Sequence, residues 1–206
     1  MQQFLIPLIA YLIGSIPTAY IITRQHSGKD LRREGSRNIG TRNAYEVTGS
    51  KKVGIRVLIL DILKGMIPLI LLDYIGYRSF IPVAATAIVI GHCFPIWLRF
   101  HGGRGLATAT GIILLLEPLA LIYWVMFYFL SKLIKRNVHL NAAIATLCIS
   151  AFTFLTPEEY FYNVFMIGVN NTDFLISLRV AILIITAVIL IRHIEPIQEY
   201  ITNTKA

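Results

Sequence analysis

Two stretches of this chain collect glycine, arginine and small neutral donors at spacings suited to holding a phosphate. The first is Gly35-Ser36-Arg37-Asn38-Ile39-Gly40-Thr41-Arg42-Asn43. Two glycines let a backbone turn sharply, so that successive N–H groups can converge on an anion. Ser36, Asn38, Thr41 and Asn43 add neutral donors, and Arg37 and Arg42 add charge with the planar fork that suits phosphate. A solvated basic loop that meets anionic lipid is the plainer reading of the same residues.

The second stretch runs from Gly91-His92-Cys93-Phe94-Pro95 to Phe100-His101-Gly102-Gly103-Arg104-Gly105-Leu106-Ala107-Thr108. Gly102-Gly103-Arg104-Gly105 leads straight into an apolar helix beginning near Leu106, whose unpaired amides and positive dipole end would face an anion. The spacing is not that of a P-loop, which closes on Gly-Lys-Ser/Thr. Three glycines around one arginine exceed what a turn needs. A third, weaker motif is Arg192-His193-Ile194-Glu195-Pro196, a histidine beside a carboxylate, which by itself also reads as a basic stop followed by a helix terminator.

The elements that must carry these motifs are membrane helices. Of the 206 residues, 56% are hydrophobic and 15% charged, with a mean hydropathy of +0.67. Soluble domains are about 45–50% apolar and about 25% charged. Seven apolar segments are read near 4–23, 54–72, 80–98, 105–116, 119–134, 140–156 and 174–191. The chain is therefore expected to be all-α, a polytopic membrane protein of about seven transmembrane helices, two of them short, forming one integral membrane domain over 1–206. Glu117-Pro118 is expected to be a tight turn between the fourth and fifth. The amino-terminal run has no early positive charge or small-residue cleavage site and reads as a retained helix.

Loop charge orients the chain. The loops 24–53, 99–104 and 132–139 and the tail from 192 hold almost all loop lysines and arginines, including Lys135 and Arg136. The opposite loops hold Arg78 together with Asp73, Glu117, Glu158, Glu159 and Asp173. The positive-inside rule then puts the amino terminus outside, and the carboxyl terminus and all three motifs on the cytoplasmic side of the cell's inner (plasma) membrane. The net charge of +8 is accounted for by this bias and by anionic ligands or lipid, not by nucleic acid. Cys93 and Cys148 form no metal or disulfide framework, and no metal or cofactor is expected. Asp61 and Lys64, three apart in the second span, are expected to pair, and Arg179 to snorkel from the outer end of the last. With no covalent nucleophile in evidence, chemistry here would rest on positioning and charge neutralisation, which suits an acyl phosphate.

Taken together, GSIP at 14–17, REGSRNIGTRN at 33–43, LDILKG at 60–65, GHCFPIWLRFHGGRGLATATG at 91–111 and RHIE at 192–195 resemble the bacterial acyl-phosphate:glycerol-3-phosphate acyltransferase family. The resemblance covers almost the whole chain. It implies a seven-helix enzyme with a cytoplasmic active site. That enzyme would move a fatty acyl group from acyl phosphate to the 1-hydroxyl of sn-glycerol 3-phosphate, at the first step of phospholipid biosynthesis. It implies acyl-phosphate contacts at Ser36, Asn38, Gly40 and Thr41, glycerol-phosphate binding at Arg104, a part in the reaction for His193, and a structural part for Glu195. Ser36, Arg104 and His193 are the expected catalytic residues; Arg42, Asn43, His92, Gly102, Gly103, Gly105, Thr108 and His139 complete the expected binding set. Glu46 stands where the family usually has an arginine, with Arg42 as its expected replacement, Pro196 where it has an asparagine, and His139 where a serine is common. The expected partners are the two substrates, membrane lipid and a soluble enzyme that makes acyl phosphate. The competing readings are a non-catalytic paralogue that binds phosphorylated lipid precursors and an organic-anion transporter, which would need a midplane site.

Overall fold

The computed structural model describes residues 1–134, 137–157 and 172–205. Lys135, Arg136, Glu158 and Glu159 of the charge-bias reading lie outside the described residues. The chain forms two compact units, 1–112 and 113–206. All regular structure among the described residues is helical.

The first unit holds α1 (Gln2–Gly14), α2 (Thr18–Ser27), α3 (Thr41–Thr48), α4 (Lys51–Tyr74) and α5 (Ile81–Cys93), with short 3-10 turns at Arg78–Phe80 and Ile96–Leu98. α6 (Leu106–Leu116) begins in it. Glycines set how closely these helices pass. A Cβ on Gly14 would fall on the Ile88 carbonyl, and one on Gly91 on the Tyr11 carbonyl, so α1 and α5 meet backbone to backbone. Gly65 against Thr108 and Gly111 against Ile62 do the same for α4 and α6. Lipid supplies no hydrophobic drive between helices, so close packing at small residues is what joins them.

Sequence periodicity gave 4–23 as one helix; the structure breaks it at residues 15–17. Pro17 has no N–H and disfavours helical geometry at Ile16, so the ladder stops although the apolar run continues. α3 is a second departure, a helix inside what reads as loop, closed by left-handed Gly49 (φ 64°). Ser50 then caps α4 by accepting the Val53 N–H at 3.4 Å.

The second unit holds α7 (Pro118–Lys132), α8 (Val138–Leu155) and α9 (Thr172–Lys205). The Glu117-Pro118 turn is as expected, with Glu117 out of helical geometry and Pro118 opening α7. Trp124 Nε1 donates to Thr146 Oγ1 at 3.1 Å, tying α7 to α8. The hydroxyls of Ser150 and Thr186 hydrogen-bond between α8 and α9. Arg179 Nη2 donates to the Thr156 carbonyl at the end of α8, at 2.7 Å.

A third correction concerns the end of the chain. α9 does not stop near 191 but runs to Lys205 through Pro196. Proline's fixed φ is itself helical; it removes one hydrogen bond, to the Arg192 carbonyl, and the flanking turns carry on. The motif-three residues are thus helical and face by helical phase. His193 and Pro196 are buried with Ile189, while Glu195 is exposed and holds no hydrogen bond or ion pair among the described residues.

Among the described residues, four stretches are long and apolar enough to cross a bilayer: Gln2–Ser27, Arg78–Leu98, Val138–Leu155 and Thr172–Asn203. α6 and α7 are shorter apolar helices. α4, at 24 residues, is about 36 Å long and has the reach, but Arg56, Asp61 and Lys64 interrupt its apolar run.

Candidate functional site

The motif-one loop is built around one side chain. Asn43, 1% exposed on α3, donates through Nδ2 to the carbonyls of Asn38 at 2.9 Å and Glu34 at 3.1 Å, with Leu31 at 3.4 Å. Its Oδ1 accepts the Ser36 N–H at 3.0 Å. Asn43 therefore spends its donors on the loop's own backbone and shapes the loop. Gly35 (φ 55°) and Arg37 (φ 57°) take left-handed geometry to make the turn, and a Cβ on Gly35 would fall on Asn43 Oδ1. Leu31, Ile39 and Ala44 anchor the loop in an apolar cluster with Val53, Val57 and Leu98.

At the loop's end, Gly40 precedes α3 in extended geometry and Thr41 opens the helix. The Thr41 hydroxyl oxygen is buried and has no hydrogen-bond partner among the described residues, an unmet group at a positive helix end. Ser36 is exposed and Asn38 half-buried beside Gly40. Arg42 pairs with Glu46 one turn on, Nε to Oε1 at 2.7 Å, with both side chains largely exposed. Further up the loop, the Arg32 guanidinium bonded to Asp30 lowers that carboxyl to about 2.

Motif two folds back on the end of α5. Arg99 (φ 52°) and Phe100 (φ 64°) are left-handed, reversing the chain after the 3-10 turn. The Gly102 N–H donates to the Cys93 carbonyl at 3.2 Å and the Gly103 N–H to the His92 carbonyl at 3.1 Å. Those two amides cap α5, whose last carbonyls lack helical partners and take them. The positive end of α6 follows immediately, with Gly105 (φ 86°) before it and Arg104, half-buried, at its mouth. Thr108, on the first turn of α6, is fully buried, and its hydroxyl has no hydrogen-bond partner among the described residues.

The two motifs meet. A Cβ on Gly103 would fall on the His92 ring and lie 2.9 Å from the Ile39 carbonyl, so motif two touches motif one there. Beneath this junction the expected Asp61–Lys64 pair is part of a larger group. Asp61 accepts from Lys64 Nζ at 2.8 Å and from Thr18 Oγ1 at 2.5 Å, and its Oδ1 lies 3.7 Å from His92 Nδ1. Lys64 also donates to the Ile16 carbonyl, left without a helical partner by the break at Pro17, at 3.1 Å. Ser15, Ile16, Thr18, Ile39, Lys64, His92, Gly102 and Gly103 line one small cavity. The expected Asp61–Lys64 pair exists; its links to His92 and the GSIP break had no counterpart in spacing.

His193 and His139 lie in the second unit, ring centroids 5.7 Å apart. His193 Nδ1 is 2.7 Å from the Ile189 carbonyl. A carbonyl only accepts, so Nδ1 carries the proton, and in the neutral ring Nε2 carries the lone pair.

The helices define a multi-pass membrane protein whose two Gly/Arg loops meet within its first unit. The glycerol-3-phosphate acyltransferase family model matches residues 4–203, and this chain belongs to that family. A glycerol-3-phosphate acyltransferase of Syntrophotalea carbinolica is 48% identical over 126 residues, 59% of this chain and 63% of that one. One from Enterococcus faecalis is 33% identical, over 100% of this chain and 92% of its own length. The crystal structure of PlsY (YgiH), an integral membrane glycerol 3-phosphate acyltransferase, in its glycerol 3-phosphate form, superposes with a TM-score of 0.79 at 29% identity, covering 98% of this chain and 94% of that one. Its lysophosphatidic acid form gives 0.77 at 27% identity, covering 98% and 93%.

Proposed function

We propose that this chain transfers a fatty acyl group from acyl phosphate to the 1-hydroxyl of sn-glycerol 3-phosphate, giving lysophosphatidic acid and phosphate. The observation that carries the reading is the meeting of the motif-one and motif-two loops at Ile39, His92 and Gly103. The glycerol 3-phosphate and lysophosphatidic acid forms of the related PlsY structures support the acceptor and the product. The acyl-phosphate donor rests on the motif resemblance.

In this mechanism the acyl-phosphate group lies against Ser36, Asn38, Gly40 and the Thr41 hydroxyl at the amino end of α3. Arg104, Gly105 and the Thr108 hydroxyl at the amino end of α6 receive the phosphate of glycerol 3-phosphate, and Arg42 exchanges Glu46 for a substrate anion. The 1-hydroxyl attacks the acyl carbonyl, the new ester C–O bond forms and the acyl C–O bond to phosphate breaks. Phosphate leaves with that electron pair and the hydroxyl proton. His193 and His139 take their parts from the resemblance, His193 with a protonated Nδ1 and a basic Nε2. Placement of two reactants in this way can supply about 7–11 kcal/mol of the barrier. The chain would span the inner membrane seven times as a single integral domain, amino terminus outside, with the reaction at the cytoplasmic face. A soluble enzyme would supply the acyl phosphate.

The test is purified full-length protein in lipid mesophase, given acyl phosphate with and without glycerol 3-phosphate. Phosphate and lysophosphatidic acid should appear in equal amounts, and only with both substrates. Phosphate release without acceptor would make the protein a hydrolase, and no release would make it a binding paralogue.

A further inference from the structure

Asp61 is 1% exposed and serves more partners than a charge pair requires. Lys64 sits one turn along the same helix and reaches it unaided. Yet the same carboxylate oxygen also holds Thr18, the first residue of α2, and faces Nδ1 of His92 at the end of α5. The opposite edge of that ring, Nε2 and Cε1, is where a Cβ of Gly103 would fall. The ring is thus held between Asp61 and Gly103, and the His92 carbonyl bonds the Gly103 N–H. Gly103 is joined directly to Arg104. A buried ion pair is commonly matched in stability by apolar residues of the same shape, so stability gives little reason for charges here.

We propose that Asp61 is a positioning residue for Arg104. Through His92 it sets the height of the 102–105 loop, and through Thr18 and Lys64 it ties that loop to the break between α1 and α2. The proposal rests on the reading that this loop receives the phosphate of glycerol 3-phosphate.

The experiment compares the full-length parent, Asp61→Asn, and the doubly neutral Asp61→Asn/Lys64→Met in lipid mesophase. Three quantities are read: the KM for glycerol 3-phosphate with kcat, the melting temperature, and backbone hydrogen exchange over residues 99–106. Asp61→Asn should raise KM by about ten- to a hundredfold, the scale of an ångström-sized misplacement, with a smaller change in kcat, the split expected of lost substrate binding. The double variant removes the stranded lysine charge. It should recover the parent's melting temperature, keep the raised KM, and keep faster exchange over 99–106. A double variant with parental KM and exchange would overturn the proposal, since the pair would then only balance charge. Should Asp61→Asn fail to fold, the double variant alone carries the comparison. A parent without turnover defeats the acyltransferase reading instead; exchange over 99–106 then decides, parental rates in the double variant overturning the link from Asp61 to the loop.

Discussion

Gly103 lies against the Nε2–Cε1 edge of the His92 ring, so close that a methyl group at position 103 would occupy the space of Nε2. The contact joins the end of α5 to the loop that opens α6, with the Ile39 carbonyl of motif one on the same spot. Gly103→Ala has to displace either a ring braced by Asp61 or a backbone carbonyl. Overpacking of this kind costs about 1–3 kcal/mol. The expected result is a lower melting temperature and a loss of at least about tenfold in kcat/KM, since one ångström of displacement can cost about a hundredfold. A fully active Gly103→Ala would mean that the loop geometry is slack.

Asn43 is the brace of motif one. Asn43→Ala removes its bonds to the Asn38 and Glu34 carbonyls and to the Ser36 N–H. Each buried group left unmet costs about 1–3 kcal/mol. The loop from 31 to 40 should open before the membrane helices do. Limited trypsin digestion reads this as fast cleavage at Arg32, Arg33 and Arg37 with the helices intact.

Arg42 and Glu46 form an exposed i,i+4 pair, worth about 0–1 kcal/mol. Glu46→Ala should leave the melting temperature unchanged within error. It removes a negative charge beside a cationic loop, so the apparent affinity for anionic substrate should rise by about two- to fivefold at low salt and fade as ionic strength climbs. KM measured at two salt concentrations checks both the size and the screening.

Gly65 permits α4 to pass α6 at the Thr108 carbonyl. Gly65→Val places two methyl groups against backbone that cannot yield by a rotamer change. Loss of folded protein, read by size-exclusion chromatography in detergent, is expected, whereas Gly76→Ala, at a turn with open space around it, should cost only the strain of its positive φ.

The sequence and the structure agree where a local rule had no competitor. Glu117-Pro118 breaks the chain because proline opens a helix more readily than it continues one, and α7 begins at Pro118. Asp61 and Lys64 pair because three residues along a helix is contact distance. Disagreement came where two rules competed. Residues 4–23 carry no charge and their hydropathy predicts one helix, although Pro17 decides the backbone. At Pro196 the proline predicts a helix end, and the helix continues. α3 is hard to read because it is only eight residues long, with Ala44, Tyr45 and Val47 set among polar neighbours; Gly40 before it and Gly49 after it are the available signs. The motif residues were legible by type, but their division of labour was not. Asn43 and the Gly102 and Gly103 amides hold the backbone, while Thr41 and Thr108 keep buried, unpartnered hydroxyls.

Arg104, flanked by glycines at the mouth of α6, is the centre of the proposed glycerol-phosphate site. The most direct measurement is the KM for glycerol 3-phosphate in Arg104→Ala and Arg104→Lys, at saturating acyl phosphate. A charged hydrogen bond to the substrate phosphate is worth about 1.5–3 kcal/mol, so Arg104→Ala should raise KM by about ten- to a hundredfold, with Arg104→Lys recovering most of it. Parental KM in Arg104→Ala would contradict the assignment of this loop as the glycerol-phosphate site.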